Sequence, residues 1–197
     1  MSLKDRCKKL WEQPSAKWRF GIPLGGILLF LIGLMALPVY NGMMHYTSTN
    51  EFCYGCHVGM DTIVEEYEAS PHFHNRAGVR VTCADCHIPH ETIPKIITKV
   101  KATADVYHKL MGTITLDNFE EHRPALAEHV WQKMSETGSR ECKNCHAFER
   151  MNTELQDKRT PKRHAPEKVE GKTCIDCHKG IAHKMPQMPD DAAAKPE

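Results

Sequence analysis

Aromatic side chains make up only 7% of this 197-residue chain, and no long hydrophobic run occurs beyond the first forty residues. The roughly 145 residues that follow would struggle to assemble a core from side chains alone, because small domains bury too little of their surface. Something other than side chains must supply apolar volume. Net charge is lacking too. A formal balance of +1 excludes the basic footprint that nucleic-acid binding requires, so no nucleic acid is expected among the partners.

Cysteine and histidine are what the chain has in excess: nine of the first and thirteen of the second. Eight cysteines fall into four pairs, Cys53/Cys56, Cys83/Cys86, Cys142/Cys145 and Cys174/Cys177, and a histidine follows each pair directly: His57, His87, His146 and His178. Chance would place roughly 0.03 such pentapeptides in a chain of this composition. Cys-x-x-Cys-His is the attachment signature of covalent haem c. The two thiols bond the porphyrin vinyl groups, and the adjacent imidazole reaches the iron from one face. Zinc would leave the four adjacent histidines unexplained, and a thioredoxin-like pair would occur once, in a βαβ context. Four covalently bound haem c groups are therefore expected. Cys7 is left over and has no assigned role.

Residues 20–40 carry no charge and read FGIPLGGILLFLIGLMALPVY. As a helix they rise about 31 Å, enough to cross the hydrocarbon core once. Pro23 suits the first turn and Pro38 marks the expected end. The run is longer than a secretory signal needs and lacks a small-x-small cleavage site, which reads as an uncleaved anchor. Lys4, Arg6, Lys8, Lys9, Lys17 and Arg19 precede it, and residues 41–50 carry no Lys or Arg. The positive-inside rule then keeps the N-terminus cytoplasmic and exports the rest. This predicts residues 1–19 as a cytoplasmic segment, 20–40 as a single transmembrane anchor of a bacterial inner membrane, 41–185 as a periplasmic tetrahaem domain and 186–197 as a disordered tail.

Iron built for electron transfer needs a sixth ligand, and nine histidines lie outside the motifs. His72 stands eleven residues before Cys83 and His164 ten before Cys174, while His90 and His183 follow motif histidines closely. A residue so near a proximal histidine cannot return to the same iron but can reach a neighbouring haem. The repeat predicts two di-haem modules, roughly 50–112 and 135–185, with His72, His90, His164 and His183 as distal ligands. His74 is a substitute for His72 and His122 a reserve; His45, His108 and His129 are read as solvent or interface residues. The fold class expected is mainly α: one transmembrane helix and a small helical multihaem domain.

Between the motifs, residues 91–110 place Ile93, Ile96, Ile97, Val100, Val106 and Leu110 at helical spacing, with Lys95, Lys99, Lys101 and Asp105 on the polar side. Gly112 is the expected stop. Residues 134–141 and 149–158 also read as helix, with turns at Gly138 and Pro161.

One N-terminal anchor followed by TNEFCYGCH, HNRAGVRVTCADCHIPH, SRECKNCH and GKTCIDCHKGIAH resembles the NapC/NirT/NrfH family of membrane-anchored tetrahaem quinol dehydrogenases, and most closely its NapC branch. The likeness spans about residues 20–185. It implies that membrane quinol, ubiquinol or menaquinol, is oxidised beside the first haem and that electrons pass to a periplasmic reductase, nitrate reductase foremost. It also implies a methionine ligand just after the first motif. Here that is Met60, three residues after His57 where the family has two, with His57 as the alternative. The same resemblance implies bis-imidazole ligation using His72, His164 and His183, a histidine at the place of His90, and a quinol site at Lys99 and Asp105. Relatives in this family pair within larger complexes, and the oligomeric state here stays open.

Overall fold

The computed structural model describes residues 2–12, 22–56 and 60–188, with the backbone alone at Cys56 and Met60. All regular structure among the described residues is helical. The chain divides into two compact units, residues 1–47 and 48–197.

The first unit contains α1 (Leu3–Trp11) and α2 (Leu24–Tyr46). Ser2 and Asp5 form a capping box on α1, the Ser2 N–H donating to Asp5 Oδ2 at 3.0 Å. Gly25 matters here, because a Cβ at that position would stand 2.9 Å from the Leu10 carbonyl and 3.2 Å from the Trp11 ring. Among the described residues α2 is the one helix long and apolar enough to cross a membrane, and none of its apolar window is buried in protein. It differs from expectation at its end. The helix runs through Pro38 to Tyr46, because a single missing N–H is tolerated when the surrounding helical bonds hold. Phe20 and Gly21, the expected start of the span, lie outside the described residues.

The second unit is a chain of short helices: α3 (Asn50–Cys56), α4 (Met60–Glu68), α5 (Cys83–His87), α6 (Thr92–Lys101), α7 (Thr103–Met111), α8 (Phe119–Glu136), α9 (Arg140–Lys143), α10 (Thr160–Arg163), α11 (Pro166–Val169) and α12 (Cys174–Cys177). Among its described residues the large apolar side chains fully inside are Tyr67, Phe119 and Ile175. Three side chains cannot supply the hydrophobic stabilisation such a unit needs, at about 1.5–3 kcal/mol for each.

Several local expectations are revised. The helix expected over 91–110 breaks at Ala102 into α6 and α7, and Gly112 ends it in the left-handed region at φ 62°. Over 134–141 the chain instead ends α8, turns at Gly138 and starts α9. Residues 149–158 hold only two 3-10 turns, Phe148–Arg150 and Thr153–Leu155, and Pro161 opens α10 rather than making a turn. Within the expected tail Pro186 is buried; residues 189–197 lie outside the described residues.

Candidate functional site

Each of the two expected modules holds its two motifs together in the same way. Three residues before the first cysteine of each module stands a buried polar side chain, Asn50 in one and Ser139 in the other. Asn50 Oδ1 accepts from the Cys83 N–H at 3.0 Å, and Ser139 Oγ accepts from the Ile175 N–H at 3.0 Å. The second motif of each module is set by a capping box of the same letters, Thr-Cys-x-Asp-Cys-His. The Thr82 N–H donates to Asp85 Oδ2 at 2.7 Å and the Thr173 N–H to Asp176 Oδ2 at 2.6 Å. These bonds fill orphan donors at the starts of α5 and α12, so even one-turn helices hold a definite direction.

The motifs touch in chain order: α3 packs on α5, and α5 on α9. The thiols follow the same line. A hydrogen bond between Cys53 and Cys83 pulls Cys53 down to about 7 and pushes Cys83 up, while burial raises Cys86 to about 11. Burial also raises Cys142, with the Cys174 sulfur adding to it. α8 braces the line at both ends. Trp131 packs under the Lys179 ammonium at 4.3 Å, and Ser135 Oγ donates to Asp176 Oδ1 at 3.0 Å. At its other end Arg123 bonds Glu66 at 2.6 Å.

The histidines sort by environment. Of the nine outside the motifs, His72, His164 and His183 are half-buried and the other six are exposed. Each of the three faces a motif histidine. Ring centroids lie 6.3 Å apart for His72 and His146, 6.3 Å for His87 and His183, and 5.8 Å for His164 and His178. His183 and His72 reach across the modules, so the two expected modules interlock. His90 is exposed, with its Nε2 3.6 Å from Asp85 Oδ1. His57 lies outside the described residues, as does the Met60 side chain.

These residues fit haem. Metal–imidazole bonds are about 2 Å long, so two imidazoles on opposite faces of one iron have centroids roughly 6.3 Å apart. The three observed separations match that span and exceed a direct ring contact. Two ring nitrogens, His72 Nδ1 and His183 Nδ1, are buried without a hydrogen-bond partner. A polypeptide alone would leave that cost unanswered, whereas a metal bound at that same nitrogen would relieve it. The small side-chain core is the third mark, since porphyrins would complete it.

Lys99 is half-buried on α6. Burial lowers its ammonium below the ordinary lysine range, and the Cys53 sulfur opposes this. The opposing effect belongs to a thiolate and would vanish in a thioether. Asp105, in the first turn of α7, is exposed. The Lys109 Nζ donates to the Gly55 carbonyl at 2.6 Å, which fixes α7 against the first motif. α7, which carries Asp105, packs on α3, and α6, which carries Lys99, packs on α7; the two residues differ in exposure. The expected polar side of α6 is reversed: Lys95 and Lys99 turn inward, and Ile93, Ile97 and Val100 turn out. The cause is that the inner neighbour of Lys99 is the first motif, at Cys53, and not an apolar core.

The sequence profile of the NapC/NirT cytochrome c family, N-terminal region, matches residues 15–188. The cytochrome c-type protein NapC of Escherichia coli K12 is 45% identical, over 94% of this chain and 92% of its own length. A putative tetraheme cytochrome-c type protein of Allochromatium vinosum is 44% identical over 84% of this chain and 90% of that one. The denitrification system component NirT of Stutzerimonas stutzeri is 39% identical over 90% of this chain and 88% of its own.

Proposed function

Because this chain belongs to the NapC/NirT cytochrome c family, we propose that it oxidises membrane quinol and delivers the electrons to a periplasmic reductase. The chain is a membrane-anchored, multihaem c-type cytochrome of electron transfer. In the proposed topology the N-terminus is cytoplasmic, α2 crosses the inner membrane, and residues 41–185 lie in the periplasm. The acceptor is a nitrogen-oxide reductase, nitrate reductase first and nitrite reductase second, in line with the relatives' names NapC and NirT.

Haem c would be held through Cys53, Cys56, Cys83, Cys86, Cys142, Cys145, Cys174 and Cys177. Three of the haem irons would be held by the facing rings, His87 with His183, His146 with His72, and His178 with His164. His57 or Met60 would serve the first iron, with His90 as a candidate fourth distal ligand. When bound, the haems take up and pass on one electron at a time. Quinol releases two protons with its two electrons. Asp105 accepts a hydroxyl proton as a carboxylate, and Lys99 holds the oxygen by hydrogen bond.

The observation that supports this reading is the packing of α7 on α3, the helix of the first motif, and of α6 on α7. The test is stopped-flow haem reduction by a quinol analogue in detergent. Rapid reduction of all four haems is expected, and Lys99→Met or Asp105→Asn should slow it by on the order of 100-fold while dithionite reduction stays complete. Unchanged quinol kinetics in both variants would remove these residues from the site. Failure of quinol to reduce the unaltered protein would leave it a cytochrome with another donor.

Ring planes give a second, independent readout. His72 and His146 are nearly perpendicular at 81°, whereas His87 and His183 are tilted at 32° and His164 and His178 are nearly parallel at 17°. Perpendicular imidazoles keep the iron d orbitals nearly degenerate. Electron paramagnetic resonance of the oxidised protein should therefore show one highly anisotropic low-spin haem beside rhombic ones, and His72→Ala should remove the anisotropic signal alone. Loss of a rhombic signal instead would assign His72 to a different iron.

A further inference from the structure

We propose that the outer face of α6 and α7 is a lipid-docking surface that seats in the interfacial layer of the bilayer. Ile93, Ile97, Val100, Tyr107 and Met111 are 66%, 49%, 63%, 60% and 64% exposed. With Ala104 they recur every three or four residues, which aligns them in one stripe along a helix. Ala102 joins the two helices in the right-handed region, at φ −64° and ψ −11°, so the stripe continues from one into the other. Leu110, 81% exposed, lies beside it. Single exposed apolar side chains are ordinary on protein surfaces, but a contiguous line of them marks an interaction site.

The inner side of the same helices is already used. Lys95 and Lys99 are half-buried there, and Lys109 bonds Gly55 in α3. This is an amphipathic helix pair with its polar side turned toward the protein, an arrangement that water disfavours and lipid favours.

The chain itself chooses lipid as the occupant. α2 ends at Tyr46 and α3 begins at Asn50, so residues 47–49 alone join this unit to the span, at no more than about 3.6 Å each. Helices that pack on α3 are thus held at the membrane whatever the protein concentration, whereas a second copy must be recruited. The proposal needs only the membrane anchor and is independent of the quinol reading.

The test uses the full haem-loaded chain in nanodiscs of phosphatidylethanolamine and phosphatidylglycerol. One sample is photolysed with a lipophilic diazirine dissolved in the bilayer, another with a water-soluble diazirine, and modified peptides are mapped by mass spectrometry. The lipophilic reagent is expected to mark Ile93, Ile97 and Val100 as well as α2. An Ile97→Glu/Val100→Glu variant with an unaltered four-haem spectrum should lose the mark on 92–111 and keep it on α2. Marking of the stripe by the water-soluble reagent alone would overturn the proposal. So would protection from both reagents together with cross-linked dimers, which would make the occupant a second copy. Lipophilic marking that persists in the double variant would show the label to be indifferent to the stripe and would overturn it too.

Discussion

Replacing His183 with alanine is expected to turn one of the four haems high-spin and to cut quinol-to-acceptor electron flow by on the order of 100-fold or more, above the 10–100-fold typical of losing a group that only supports a metal ligand. The ring of His183 stands 6.3 Å from that of His87 and is half-buried. Burial lowers its pKa, with Glu66 opposing, so at neutral pH the imidazole is unprotonated and has a lone pair to give. The second motif lies between the first and third in the order of contacts, α3 to α5 to α9. A defect there interrupts the line near its start. Magnetic circular dichroism would count low-spin haems, and stopped-flow mixing would follow their reduction. His129→Ala, at an exposed histidine on α8, serves as the control and should leave both unchanged. Four low-spin haems in the His183 variant would remove it from the axial set.

What was legible in the sequence was what is local. Each Cys-x-x-Cys-His carries its meaning within five residues, and the anchor within twenty. Which motif histidine His72 and His183 each face was not legible, because both cross from one expected module to the other and spacing alone excludes only the nearest motif. α8 was missed for a different reason. Pro124 sits inside it, and Arg123 falls among Phe119, Leu126, Val130 and Met134, which share one face. Bonds at its two ends, through Arg123 and Ser135, help to hold it. On α6 the periodicity gave the helix correctly and its orientation wrongly, since periodicity reports two faces without saying which is turned inward. A signal did exist for the two capping boxes. Thr82 with Asp85 and Thr173 with Asp176 follow a spacing that marks helix starts, overlaid on the haem motifs themselves.

Glu66→Ala is expected to destabilise the haem-loaded protein by about 3–5 kcal/mol, the range for removing one partner of a buried ion pair. Glu66 and Arg123 are both buried and meet at 2.6 Å. Together they enclose the backbone of Lys184: its N–H donates to Glu66 Oε2 at 2.8 Å and its carbonyl accepts from the Arg123 guanidinium at 2.8 Å. Without Glu66 the guanidinium keeps Glu120 and one carbonyl, and Glu120 is largely exposed. Exposed pairs contribute only about 0–1 kcal/mol, so Glu120 cannot compensate. The second consequence follows from position. Lys184 is the next residue after His183, so releasing its backbone loosens the ring that faces His87. Denaturant unfolding followed in the haem absorption band should show a large fall in midpoint for Glu66→Ala and a small one for Glu120→Ala. A Glu66→Leu/Arg123→Met pair, which removes both charges and keeps volume, should recover most of the stability but not the hold on Lys184. Partial high-spin character in that double variant, at near-normal stability, would separate positioning from simple support. Equal midpoints for Glu66→Ala and Glu120→Ala would show that the buried pair does not hold this part of the fold.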